Sequence, residues 1–271
     1  QSTDRNKAHW AESDLLSASA STTHMVRQTL RQRARYESAN NSYCRGIVST
    51  LANDTIGCGA RLQLRTNSEA ADNIIEAEFH EWASSVELSE KLRIMRQSYA
   101  VDGEAFAIFI NNKQLDTPIQ LDISLVESDQ VSTPTPKIKL SQPVDGIELD
   151  TKTKLPRYYH ILKSHPGDQF VSQILEYDRL PASQVVHLLN RDRPGQHRGV
   201  PEITPALPLF AQLRRFTLAV LESAESAANI AGILKSNAPP EAAASLEPFY
   251  PVKLQRGSFI ALPDGWDLGQ P

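Results

Sequence analysis

The chain has 271 residues, enough to bury a real core as one large domain or two smaller ones. Its composition, 40% hydrophobic and 22% charged, excludes wholesale disorder and fibrous repeats. A formal net charge of -4 argues against a protein that grips nucleic acid by neutralising phosphates, because that needs clustered Lys and Arg.

Residues 1–22 are polar, with Trp10, Leu15 and Leu16 the only sizeable apolar groups, and read as a flexible arm. From Thr23 the positions Val26, Leu30 and Ala34, then Tyr43, Ile47 and Leu51, recur at three- and four-residue steps and predict two helices that bury those faces. Arg27, Arg31, Arg33 and Arg35 fall on the remaining faces of the first, and a break is expected near Asn40-Asn41. Gly57 and Gly59 stop the second helix, and a short strand is expected over 61–64. A helix from Ser68, with Glu69 and Asp72 in its first turn, should turn Phe79 and Trp82 to the core. Another runs from near Ser89 to the turn signal at Val101-Asp102-Gly103.

A strand over 104–110 is apolar on both sides, as an interior strand should be. Further strand signals at 119–126, 155–162, 184–189 and 258–262 suggest a mixed β layer. The longest helical pattern spans 201–235, with Pro205 and Pro208 near its start and an alanine- and serine-rich later part. The fold class expected is α+β, divided into an arm (1–22), a domain (23–200), a long helix (201–238) and a returning loop and strand (239–271). Both ends, at Gln1 and Pro271, read as cut.

Cys44 and Cys58 form no CxxC pair, which excludes a disulfide scaffold or thiolate zinc site, and Cys44 reads as a small buried core residue. No apolar run reaches the roughly 20 residues that span a bilayer. His160, His165, His187 and His197 lack metal-ligand spacing, so no metal is expected. Asp102, Glu104, Asp122, Glu127 and Asp129 could hold Mg²⁺ as in a nuclease or phosphotransferase, but read more simply as solvated turn and strand-end carboxylates. Phosphate-loop, dinucleotide and nucleophile-elbow signatures are absent, so no catalytic residue and no cofactor is expected.

The segment 190–201 stands out, with three arginines and two glycines before a long helix. Burial of that much charge requires a partner carrying carboxylates, and Arg fits either phosphate or a subunit contact. The acidity of the chain favours the subunit contact, which makes Arg191, Arg193, Gln196 and Arg198 the candidate interface loop.

The run Arg193-Pro194-Gly195-Gln196-His197-Arg198-Gly199-Val200-Pro201 is similar to a loop of lambda-type phage portal proteins, loosely RPGQxRGxP. Other landmarks follow in the family's order: 53–59, Asp102-Gly103-Glu104-Ala105-Phe106, Asp145-Gly146-Ile147-Glu148, Tyr158-Tyr159-His160-Ile161 and Leu262-Pro263-Asp264-Gly265. The resemblance covers nearly all of 23–271, and the family normally continues past this endpoint. It implies an α/β wing domain feeding a stem helix, for which 202–235 is the candidate, and a homo-oligomeric ring, commonly of about twelve subunits with heterologous contacts. It further implies a capsid portal vertex assembled in the host cytoplasm, with terminase, capsid and head-tail connector proteins as partners. Double-stranded DNA would pass through without tight binding, at contacts the sequence leaves unassigned. An acidic subunit suits a channel through which a polyanion must slide.

Overall fold

A computed structural model of the chain describes residues 15–133, 144–168, 176–229, 233–236 and 266–269. Most of the arm and the expected strand at 258–262 lie outside the described residues. The chain divides into two units, 1–210 and 211–271.

In the first unit a single turn, α1 (Ala18–Ser21), precedes α2 (His24–Asn40) and α3 (Ser42–Ile56). The break between them sits where the sequence signals it. Asn41 closes α2 through its backbone and caps α3, its side chain accepting from the Tyr43 and Cys44 amides at 3.0 and 3.4 Å. Both helices are rotated from the expected orientation. In α2 the buried residues are Arg27, Arg31, Ala34, Glu37 and Ser38; Ala34 is inward as expected and Leu30 half-buried, whereas Val26 is exposed. In α3 they are Cys44, Val48 and Ala52, with Tyr43 and Ile47 exposed. Apolar periodicity misplaced the α2 face because its buried cations meet internal carboxylates.

Gly57 ends α3, and residues 61–64 run without forming the expected strand. Ser68 caps α4 (Glu69–Ser85). Phe79 and Trp82, ring centroids 5.6 Å apart, are half-buried in a surface groove and not in the core as expected. Helix α5 (Leu88–Asp102) packs on α2 and α3, sharing a core of Ala34, Cys44, Val48, Ala100, Ile203, Leu207 and Phe210.

The strand β1 (Glu104–Asn111) is the centre of an antiparallel sheet ordered β2-β1-β6, with β2 at Leu121–Val126 and β6 at Val185–Leu189. Its two faces serve different cores: Ala105 and Ala107 pack with Met95 of α5, and Phe106 packs with Val131, Val144, Ile147, Tyr159, Ile161 and Val185. Only its first half is covered; Phe109 and Ile110 are exposed. A second antiparallel sheet orders β3 (Ile147–Leu149), β4 (Pro156–Leu162) and β5 (Tyr177–Pro181). Every pairing among the described strands is antiparallel, so the expected mixed layer is two antiparallel sheets, and the fold is α+β.

A 3₁₀ turn at Thr204–Ala206 leads into α6 (Leu207–Asn229), inside which the unit boundary falls. Pro205 is tolerated in the turn and Pro208 in the first turn of the helix, where amides lack helical partners. In the second unit Ile233–Ser236 is a strand, β7, paired with β8 (Trp266–Gly269). The expected helix to 235 is thus too long; Gly232 and β-branched Ile233 are weak helix formers after the alanine run.

Replacing Asn41 by Ala removes the cap between α2 and α3. Chemical denaturation of Asn41→Ala should show a loss of about 1 kcal/mol.

Candidate functional site

The conspicuous chemistry lies beneath the 190–201 loop. Gly103 links α5 to Glu104, the first residue of β1, and adopts a left-handed conformation (φ 86°). The loop backbone lies directly on it: a Cβ on Gly103 would fall 2.2 Å from the Val200 carbonyl carbon, and one on Gly199 would fall 2.0 Å from the Gly103 oxygen. Only two glycines allow that approach.

The contact seals Glu104, which has no exposed surface. Arg198, 2% exposed, donates from Nε to both carboxylate oxygens at 3.0 and 3.1 Å and from Nη2 to Oε1 at 2.7 Å. Arg31 Nη2 donates to Oε1 as well, and the Gly199 amide donates to Oε2 at 2.8 Å. His187 Nε2 lies 3.1 Å from Oε2, while its Nδ1 meets the Tyr159 hydroxyl at 3.3 Å. That network assigns the Nε2–H tautomer, with Tyr159 donating to Nδ1. Arg198 then uses its remaining donors on the carbonyls of Ser128 (3.2 Å), Val131 (2.8 Å) and Asp145 (2.6 Å). One guanidinium therefore ties together β1, two loops and its own segment.

The arginines of α2 extend the cluster at four-residue steps along one face. Arg27 reaches Asp145 at 2.6 Å, Arg31 reaches Glu104 and Asp129 (2.8 Å), and Arg35 reaches Asp102 (2.7 Å), Asp129 (2.9 Å) and Glu127 (3.5 Å). The outer rung at Arg35 and Asp102 borders a cavity of about 270 Å³ that Arg45 also lines.

Protonation follows from this packing. Burial opposes ionisation of Glu104, but Arg198, the His187 hydrogen bond and Arg31 hold its carboxyl well below the usual range. Burial likewise opposes ionisation of Asp145, and His24, Arg198, the Thr133 amide and Arg27 outweigh it. Asp129 is lowered against its burial by Arg31 and Arg35. Asp102 goes the other way, since its burial outweighs Arg35. Arg27 falls to about 10 through burial and the neighbouring Arg198.

The expectation that these carboxylates are solvated is overturned for Asp102 and Glu104, which are buried in ion pairs. The expectation that the loop faces a neighbour is corrected in part. Arg198 and Gln196 point into their own chain, and the partner carboxylate required for burial is this chain's Glu104. Gln196 shapes the loop, accepting from the Asp192 and Arg193 amides (3.0 and 3.3 Å) and donating to the Arg198 carbonyl (3.0 Å). Arg191 and Arg193 are exposed, and Arg193 donates to the Leu16 carbonyl (2.9 Å) and Ser21 Oγ (3.3 Å).

Among the described residues one group has donor spacing for a metal: Glu127, Asp129 and His165 bring ligand atoms within 4.8 Å of one another. Arg35 already supplies positive charge to both carboxylates there. The cluster as a whole offers no free base or nucleophile; what it does is lock the loop, α2, β1 and the residues around Asp145 into one body.

Three of the sequence landmarks, at 102–106, 145–148 and 193–201, therefore meet at one point in space. A family model described as phage portal protein, lambda family, matches residues 3–270. The chain belongs to that family. A probable portal protein of Halomonas phage phiHAP-1 is 28% identical over 231 residues, covering 78% of this chain and 44% of the relative, so this portal-family chain spans less than half of that relative's length. Among solved structures it is similar to chains in the virion of a native gene transfer agent particle (12% identity, TM-score 0.47, 90% of this chain and 61% of the other). A second is in the neck of an empty gene transfer agent particle computed with C6 symmetry (13%, 0.45, 90% and 62%).

Glu104→Gln keeps the shape but strands two buried guanidinium groups, and should cost about 3–5 kcal/mol in denaturant unfolding. Glu127→Gln, at the exposed rim, should cost under about 1 kcal/mol. Acid should also weaken the fold. The depressed carboxyls of Glu104, Asp129 and Asp145 contribute fully above their unfolded values near 4, and that contribution is lost as pH falls through their lower folded values. Asp102, raised, acts in the opposite sense. Asp122, Glu148 and Asp150 are depressed as well, so the depressed carboxyls outweigh Asp102; melting temperature should drop between about pH 5 and pH 2, and Glu104→Gln should flatten that drop.

Proposed function

We propose that this chain is a structural subunit of a portal ring at a phage or prophage capsid vertex, assembled in the host cytoplasm. Double-stranded DNA passes through the ring during packaging and ejection. The ring docks the terminase large subunit, which supplies the motor, together with capsid and head-tail connector proteins. The observation that carries this is the family match over residues 3–270.

The site geometry supports it. The alternative of a metal-dependent nuclease or phosphotransferase drew on Asp102, Glu104, Asp122, Glu127 and Asp129 and on the Arg-rich loop; Asp102, Glu104, Glu127 and Asp129 each face a guanidinium group and Asp122 faces the Lys91 ammonium. The role needs no cofactor. No helix among the described residues is long and apolar enough to cross a membrane. Helix α6 is the candidate stem element, since Phe216, Leu218 and Leu221 on it are more than half exposed. Arg191 and Arg193 remain the interface candidates of the loop, because both are exposed and neither is paired with a carboxylate among the described residues.

Light scattering on the full-length protein, with negative-stain images, should give the mass of a hollow ring of about twelve subunits. A persistent monomer that hydrolyses DNA with Mg²⁺ would sink the reading.

A further inference from the structure

Ring formation of the kind proposed above needs two different surfaces on each copy that fit after rotation. One surface is the groove on α4. It encloses about 460 Å³ between Leu62, Ile75, Phe79, Trp82, Pro118 and Ile119, and Glu78 is its only charged lining residue. The Trp82 indole N–H is already spent on the Leu121 carbonyl at 2.7 Å, so the ring presents apolar surface to the groove. The helix itself carries Glu69, Asp72, Glu76, Glu78 and Glu81 and no Lys or Arg. Asp72 is engaged by Thr66 and Glu76 by the Leu64 amide, whereas the exposed Glu69, Glu78 and Glu81 carboxylates have no partner among the described residues.

The complementary surface is where the arm joins the fold. Leu15 is 105% exposed and Leu16 48% exposed, so this chain's own groove does not bury them. Beside them stands Arg193, bonded to the Leu16 carbonyl and Ser21 Oγ, with no carboxylate against it among the described residues. An apolar knob with a fixed cation thus faces solvent, on the same chain as an apolar groove with an unpaired anion.

We propose that Leu15 and Leu16 of one copy seat in the α4 groove of the next copy around the ring, with Arg193 facing Glu78. This rests on the ring reading and deepens it, by naming the surfaces that meet. The apolar contact supplies the seat. The flanking pair of opposite charges fixes its register and rejects misaligned copies, the usual division of labour between apolar anchors and charged rims.

The test uses the full-length protein and its assembly midpoint, the concentration at which half the chains are in rings, read by light scattering. Arg193→Glu sets an acid against Glu78; Glu78→Arg sets a cation against Arg193. Each should raise the midpoint about tenfold or more, since like charges across an interface repel. The combined Arg193→Glu/Glu78→Arg protein pairs opposite charges again, keeps the Leu15 and Leu16 seat, and should recover to within about threefold of wild type. Both positions are exposed, so monomer melting temperatures should match wild type and exclude misfolding as the cause. If wild type forms rings and the single variants assemble equally well, or the combined variant does not recover, the contact is overturned while the portal reading stands. That result is also the one expected if a head-tail connector protein, and not a second copy, fills the groove. A wild-type protein that forms no ring overturns both.

Discussion

A carboxylate with no exposed surface cannot stay ionised unless its surroundings replace every hydrogen bond that water gave it. Glu104 meets that demand with two guanidinium groups, an imidazole and a backbone amide, which arrive from three parts of the chain: α2, β6 and the 190–201 loop. Much of the first unit follows from this constraint. Arg198 must enter from its loop, which requires the loop backbone to lie on Gly103, which requires glycine at both 103 and 199. Arg31 must enter from α2, which fixes the rotation of that helix and exposes Val26 and Met25.

Such a cluster contributes less net stability than its number of bonds suggests, because desolvation offsets most of the attraction. Its sharper effect is on alternatives. An apolar core tolerates sliding and repacking, while a buried guanidinium with five fixed partners tolerates neither. Here the rigidly specified element is the junction between the two-sheet body and the segment that leads into α6. If the chain assembles into the ring proposed above, copies that must all adopt one geometry have use for a junction with a single arrangement.

The sequence showed a good deal of this, and the failures share a cause. Helix ends at Asn41, Gly57, Ser68 and Gly103 were legible because caps and left-handed glycines are local chemistry. The centre strand was legible from apolar residues on both faces. What misled was the rule that arginines lie outside: it placed Val26 inward on α2 with the arginines outward, and turned Arg198 toward a neighbour. The signal that could have corrected it was present. Arg27, Arg31 and Arg35 repeat at four-residue spacing, as a buried stripe does, and Asp102, Glu104, Asp129 and Asp145 supply the opposite charge. The short strands β3 and β5 were missed because they carry Glu148, Asp178 and Arg179 in place of a clear apolar alternation.

The same pairing changes what the chain's charge means. Four arginines clustered along one helix and one loop look, in sequence, like material for a phosphate-binding surface. In the structure Arg27, Arg31 and Arg198 are each under 4% exposed and are matched by carboxylates within the chain, leaving only Arg35 at the rim. These cations release no counterions from DNA, because none can reach a phosphate. The internal charges nearly cancel, so most of the formal -4 is carried by the rest of the chain, much of it on faces such as that of α4. A surface of that kind repels a polyanion weakly at short range and is screened beyond about 10 Å at ordinary salt. On the proposed portal reading, that combination would let DNA move past without being held, and the arginines serve the chain's own geometry.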